Sequence, residues 1–463
     1  MQRLLVRYVL SATLIIIGWS TVGHTHDISS SQPPVLAASG EPRSVTLFQD
    51  VRIFPGKGTE LSGPSHVLVR GNQIEKISTL PIPADRRSDI VIIDGAGRTL
   101  IPGLIDAHTH VVMESISMTT ALLSDMGYLN LVAARAAESL LLRGFTSIRD
   151  MGGPTFSLKR AIDEGLINGP RIYPSGAMIS QTGGHGDFLM PTDVPRQIGG
   201  PLSYMERNNG SIVADGADQV LMRAREQLRN GASQLKLMAG GGVSSSYDPL
   251  DVAQYTEDEF RAAVSAAENW GTYVAVHAYT PRAIRAAVTA GVKCIEHGQL
   301  MDEATAKLLA DKGIWLSLQP FLDDEDANPK TGESRKKQLQ MMNGTEVAYQ
   351  LAKKYKIKLA FGTDTLFDAK SAERRGRQLA KLVRWFTPLE VLTMATSTNA
   401  ELLSLSGPRN PYPGKLGVVE EGALADLLLI DGNPLEDIQL IEDPGKKFLV
   451  IMKDGKIYKN LLR

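Results

Sequence analysis

At 463 residues, with 43% hydrophobic and 22% charged side chains, the chain has an ordinary globular composition and enough length for one barrel plus a satellite domain. A formal net charge of -1 argues against a nucleic-acid binder, which would carry a basic stripe. A single cysteine, Cys294, excludes an intramolecular disulfide, and charge alone points to no partner class.

The chain opens with Arg3 and Arg7, an apolar run from Tyr8 to Trp19, then Ser20, Thr21 and Gly23. This is the layout of a secretory signal peptide over residues 1–26, and roughly a dozen apolar residues fall short of the ~20 of a membrane span. An uncleaved anchor helix is the alternative. The expectation is a cleaved signal and an exported protein, periplasmic or secreted, with no stable membrane anchor. No cysteine lies in the cleavage region, so a lipidated N-terminus is excluded. Residues 27–44, rich in Ser, Pro and Ala, read as a flexible leader.

From residue 45 to 100, short runs such as Val45–Phe48 and His66–Arg70 are punctuated by glycine-rich turns and read as strands. The C-terminal stretch has the same texture, with Asp426–Ile430 and Phe448–Met452 bounded by Asp-Gly turns. Residues 45–100 and 408–463 are therefore expected to pair into one small β-sandwich domain. Between them, over residues 101–407, apolar strands alternate with Ala- and Leu-rich helical segments such as Leu129–Leu142 and Glu257–Asn269. Strands are predicted to begin at Leu104, Phe145, Arg171, Gln234, Thr272, Cys294, Trp315 and Lys358. Eight alternations predict an α/β fold, a (β/α)8 TIM barrel. A doubly wound sheet is the alternative, but no Gly-rich phosphate turn follows the first strand.

A barrel places its chemistry at the C-terminal ends of its strands. The first strand ends in His108-Thr-His110, and residues two apart in a strand share a face, so both imidazoles can aim at one ion. His24 and His26 have the same spacing but no strand to aim them. The fourth strand carries Lys236 among apolar residues, where burial depresses an amine's pKa and a neutral amine can take up carbon dioxide as a carbamate; a snorkelling lysine is the plainer account. The fifth, sixth and eighth strands end in His277, His297 and Asp364. Each alone reads as a satisfied core polar group. All six at strand ends do not. Arg149 and Asp150, ending the second strand, read as a structural ion pair, and Cys294 as a small buried apolar group.

This constellation resembles the amidohydrolase superfamily, with similarity from about Val45 to the C-terminus. The segments Ser180–Asp187, Lys236–Val243 and Ala275–Tyr279 are similar to its imidazolonepropionase-like branch, which includes Xaa-Pro dipeptidases and ochratoxin-hydrolysing amidases. The resemblance implies two divalent ions, zinc expected. His108, His110 and Asp364 would hold one and His277 and His297 the other, with carboxylated Lys236 bridging. It also implies attack by metal-bound hydroxide, with Asp364 moving the proton to the leaving amine. His185 and Tyr279 become substrate contacts, His185 in a Gly-flanked loop and Tyr279 two residues beyond His277; a packed loop aromatic is the other account of Tyr279.

The loops Gly186–Gly216 and Phe321–Gln340 are long enough to cover the barrel mouth, and the run Asp323–Asp326 reads as a solvated turn. The expected activity is hydrolysis of a dipeptide or N-acyl-L-amino acid. An N-aroyl-phenylalanine amide of the ochratoxin type, a cyclic amide and a non-catalytic exported binding protein are the alternatives. The expected partner is a small-molecule amide, and the resemblance also implies a homo-oligomer.

Overall fold

The computed structural model describes residues 44–462, apart from 59, 84–89 and 246. The predicted signal segment, and the leader as far as residue 43, lie outside the described residues. No described helix is long and apolar enough to cross a membrane.

The N-terminal strands are β1 (Val45–Ile53), β2 (Ser65–Arg70), β3 (Gln73–Ser78), β4 (Ile90–Asp94) and β5 (Thr99–Pro102). β1 pairs antiparallel with β2 and parallel with β4, and beyond a register shift after Phe48 it pairs parallel with β5. Asp50, inside that shift, has a φ of 49°, the turn that lets one long strand serve both halves.

The eight predicted strands are present within one residue or two of their expected starts. They are β6 (Leu104–Thr109), β7 (Phe145–Asp150) and β8 (Arg171–Pro174), then, past β9 (Met178–Ser180) and β10 (Ser211–Val213), β11 (Leu235–Met238), β12 (Val274–Ala278), β13 (Cys294–His297), β14 (Trp315–Leu318) and β15 (Lys358–Phe361). All pair in parallel, in sheets ordered β6-β7-β8 and β10-β9-β11-β12-β13-β14-β15. Almost every residue in them is buried, so they read as continuous apolar runs instead of alternating ones. β9 and β10 were not predicted; three residues show no period, and β9 takes the place beside β11 by pairing Ile179 with Leu237.

Helices pack outside these strands. Glu257–Asn269 opens on a capping box between Thr256 and Glu259 and buries Phe260, Ala263, Val264 and Ala267. Met126–Leu142, N-capped by the Asp125 carboxylate, buries Leu129, Ala133, Leu140 and Leu141. Each large side chain buried this way contributes about 1.5–3 kcal/mol.

The first and last of the eight strands also meet. Asp364 N donates to His108 O at 2.8 Å, and Asn399 Nδ2 donates to both Ile105 O and Phe361 O at 2.8 Å. At Gly362 a Cβ would lie 2.5 Å from that of His108, so this close approach requires glycine.

The C-terminal strands are β16 (Leu427–Ile430), β17 (Phe448–Lys453) and β18 (Lys456–Asn460). β16 pairs antiparallel with β5, so the two ends of the described chain join in one eight-stranded sheet ordered β18-β17-β16-β5-β1-β2-β3, with β4 on β1. It is one hydrogen-bonded path rather than two separately paired sheets, because β1 belongs to both halves. Phe48, Val51, Val67, Leu427, Leu429 and Val450 share its core.

Candidate metal centre

The ends of β6, β12, β13 and β15 bring four imidazoles and one carboxylate together. Asp364 Oδ1 lies 3.3 Å from His108 Nε2 and 3.2 Å from His110 Nε2, and Oδ2 lies 3.9 Å from His297 Nδ1. The His277 and His297 rings are 4.4 Å apart, and those of His108 and His297 are 5.1 Å apart. His297 and Asp364 both hold left-handed backbone, at φ 83° and 46°, a conformation that costs of order 1–3 kcal/mol at a residue with a side chain.

Each imidazole has one nitrogen committed to an oxygen that can only accept. His108 Nδ1 faces Glu296 Oε2 at 2.8 Å, and His110 Nδ1 faces Gly152 O at 2.9 Å. His277 Nε2 faces Gly241 O at 3.1 Å, and His297 Nδ1 faces Gln319 Oε1 at 2.8 Å. Gln319 is itself oriented, since its Nε2 donates to Ser317 O at 3.0 Å. Those contacts assign the proton to the nitrogen facing the acceptor and leave a lone pair on Nε2 of His110 and His297 and on Nδ1 of His277. At His108 the 2.8 Å approach to Glu296 assigns the proton to Nδ1, although neither ring nitrogen meets full hydrogen-bond geometry. Buried His108 Nε2 makes no hydrogen bond, and ligand atoms of His108, His297 and Asp364 all lie within 4.8 Å of one another. A tetrahedral ion bonded at about 2.1 Å would hold its ligands roughly 3.4 Å apart, so small movements would close the set. Imidazole and carboxylate are the donors that zinc and similar divalent ions take.

The electrostatics agree with a cation site. Burial raises the Asp364 carboxyl, but its interactions with the His108, His110 and His297 imidazoles outweigh that and hold the group well below the usual carboxylate range. Burial lowers His277 and His297, the latter to about 3, so both favour the neutral, ligating form. Lys236, on β11 beside β12, is 1% exposed. Burial pulls its amine below the ordinary lysine range despite the nearby carboxylates of Glu296 and Asp364, and it has no ion-pair partner among the described residues. That favours the neutral amine a carbamate requires.

A second tier of buried groups holds the first in place. Arg149 does not pair with Asp150, as its position beside it suggests. Its Nη2 donates to both oxygens of Glu296, at 2.7 and 2.9 Å, and its Nε donates to Ala107 O at 2.6 Å. Successive strand residues face opposite sides, so Asp150 instead accepts from Val111 N at 2.8 Å. Cys294 is fully buried, as expected, with Sγ 3.1 Å from Glu296 Oε1. Asp106 Oδ1 accepts from His108 N and Thr363 N at 3.0 and 3.1 Å, and its Oδ2 pairs with Arg375, which reaches Glu114 at 2.6 Å. The strand bearing His108 is thereby tied to the turn bearing Asp364.

His185 stacks on His277, ring centroids 4.2 Å apart, with Nδ1 2.7 Å from Ser245 Oγ and 3.2 Å from Asp248 Oδ2. Tyr279 is buried against both His277 and His297, at 4.9 and 5.1 Å between centroids. Asp248 also accepts from Gly242 N at 2.8 Å, and a Cβ on Gly242 would fall 1.8 Å from His185 Cε1. Gly242→Ala is therefore expected to displace His185 and cut kcat/KM for an amide substrate about 100-fold, with bound metal unchanged. Steady-state kinetics beside metal analysis checks this, and equal loss of both would make the glycine a folding residue only.

Two cavities flank the cluster. One, of about 130 Å³, is lined by Asp364, Tyr279, Phe321, Lys330 and Thr365; the other, of about 250 Å³, by Met113, Met178, Met238, Phe188, Leu366 and Phe367. Ser244 and Leu366 line both. The predicted loop after β14 carries the acidic run as an exposed turn at Asp323, Asp324 and Glu325, as expected, but the turn is also tied down by ion pairs. Asp323 pairs with Arg335, Asp324 with Lys381, Glu325 with Arg377, and Asp326, its side chain 6% exposed, with Arg374, Arg377 and Lys381. The run fastens the loop over the mouth.

The comparisons point the same way. The amidohydrolase family pattern matches residues 99–458. The ochratoxinase of Aspergillus niger is 31% identical, over 98% of this chain and 97% of that protein. A crystal structure of a prolidase complexed with N-methylphosphonate-L-proline superposes with a TM-score of 0.82 at 34% identity, covering 90% of this chain and all of that one. A Xaa-Pro dipeptidase with methionine bound in its active site gives 0.77 at 29% identity, over 90% of this chain and all of that one. These neighbours imply a TIM-barrel-containing fold, consistent with the parallel strands described above. A His/Asp group suited to a metal, at strand ends of that fold, together with family-wide similarity along nearly the whole chain, places this protein in the amidohydrolase family, as a hydrolase of amide bonds.

Proposed function

We propose that the chain cleaves the amide bond of a dipeptide or N-acyl-L-amino acid, using divalent cations held by His108, His110, His277, His297, Asp364 and a carboxylated Lys236, with zinc as the expected metal. The observation that carries this is the cluster of four imidazoles gathered with the Asp364 carboxylate at the strand ends, each with one ring nitrogen within 3.1 Å of an acceptor oxygen. Divalent cations bound there would supply a nucleophile at neutral pH and polarise the scissile carbonyl. Asp364, kept ionised, accepts the proton of the attacking water and returns it to the amine nitrogen as the C–N bond breaks. With Nδ1 turned to Ser245 and Asp248, His185 has Nε2 left for the substrate carbonyl oxygen. Tyr279 forms the adjoining wall.

A second reading, an N-aroyl-phenylalanine amide, is favoured by the methionine-lined cavity, which suits a bulky flat acyl group. We also propose export, on the signal-like residues 1–26.

His277→Ala is expected to abolish release of free amino acid with little change in thermal unfolding, and a near-wild-type rate would refute its role as a ligand. Metal analysis of the active protein should give two equivalents per chain; less than one would defeat the two-ion version.

A further inference from the structure

The 130 Å³ cavity beside Asp364 contains a cation with no carboxylate partner. Two lysines line it, Lys330 and Lys381. Lys381 is taken up by Asp324 at 2.6 Å and Asp326 at 2.7 Å, and the remaining acids of the run are each paired with Arg335, Arg374 or Arg377. Lys330 has no carboxylate within ion-pair distance among the described residues. Its backbone is held firmly: Lys330 N donates to Gln338 Oε1 at 3.1 Å, and Gln338 Nε2 donates to Asn328 O at 2.8 Å. The side chain is partly buried, and burial lowers its pKa against the opposing carboxylates of Asp368 and Asp364.

The chemistry of an amino-acid leaving group matches this placement. Its carboxyl carbon lies roughly 2.5 Å from its amine nitrogen, since only Cα separates them. The group that protonates the amine and the group that binds the carboxylate must therefore share one cavity. Asp364 and Lys330 do. The opposite cavity has no lysine or arginine among its described lining residues and offers methionines and phenylalanines instead, an environment for an acyl group. Ser244 and Leu366 line both, so the two cavities adjoin.

We propose that Lys330 binds the free carboxylate of the leaving amino acid and makes the enzyme selective for amides whose amine half ends in a carboxylate. This rests on the amide-hydrolase reading above and adds to it the orientation of the substrate, acyl group toward Met113, Met178 and Met238, amine half toward Lys330.

The test follows benzoate release from N-benzoyl-L-phenylalanine and from its primary carboxamide, using metal-loaded full-length wild type, Lys330→Met and Lys330→Arg. Lys330→Met should raise KM for the acid about 10- to 100-fold with kcat nearly unchanged, and leave kcat/KM for the carboxamide as in wild type. Lys330→Arg should keep part of the preference. Calorimetric binding of L-phenylalanine, which needs no turnover, should be lost in Lys330→Met and kept in Lys330→Arg. An unchanged acid preference in Lys330→Met, or equal losses on both substrates, overturns the proposal while the hydrolase reading stands. Wild-type enzyme that releases benzoate from neither compound and binds no amino acid takes down that reading, and this proposal with it.

Discussion

Asp364→Asn should lower kcat about 10,000-fold while the protein stays folded, the largest loss of activity expected from any single isosteric change in the chain. The carboxylate has two assignments, metal ligand and proton carrier, and asparagine can fill neither well. Its amide is a weaker donor to a cation, and it cannot take a proton from attacking water; general acid–base catalysis alone is worth about 100- to 10,000-fold. The fold should survive because asparagine is among the few residues that tolerate the left-handed backbone found here, and Asp364 N would keep its hydrogen bond to His108 O. Steady-state kinetics with thermal melting is the check. A variant retaining a tenth of wild-type kcat would show that the proton travels by another route.

Glu296→Gln should be the most destabilising conservative change, by about 3–5 kcal/mol, because it leaves the fully buried Arg149 guanidinium without a countercharge. The same carboxylate also fixes the Nδ1 proton of His108. Metal affinity should therefore fall about 10- to 100-fold, even in the fraction that folds. Urea unfolding and titration of the metal-free protein separate the two effects. Unfolding at the wild-type midpoint would mean that the existing bonds of Arg149 to Ala107 O and Tyr273 OH, at 2.6 and 3.2 Å, hold it without the carboxylate.

These two residues show what was legible in the sequence. Asp364 could be found because it ends a short apolar strand, and strand ends are where parallel α/β folds place their chemistry. His108, His110, His277 and His297 were singled out by the same argument, and the geometry brings His108, His110 and His297 to Asp364 and His277 beside His297. Glu296 stands next to His297 and was passed over. Its meaning depends on Arg149, 147 residues away, and no local pattern reveals a partner at that distance. Arg375, 269 residues from Asp106, was hidden for the same reason. The misread pair Arg149 and Asp150 was avoidable, since neighbours in a strand point to opposite faces. The acidic run is the exposed turn it was expected to be, but its ion pairs were not legible because the basic partners lie on other segments, from Arg335 to Lys381. Lys330 stands out only once those partners are counted.

The left-handed backbone at His297 and Asp364 carries an evolutionary consequence. Glycine at either position would relieve about 1–3 kcal/mol of backbone cost while deleting a group of the cluster. A library sorted for heat tolerance alone puts no pressure on keeping these two side chains. Breeding a hardier version of this enzyme thus demands that every round of sorting be scored on product formed.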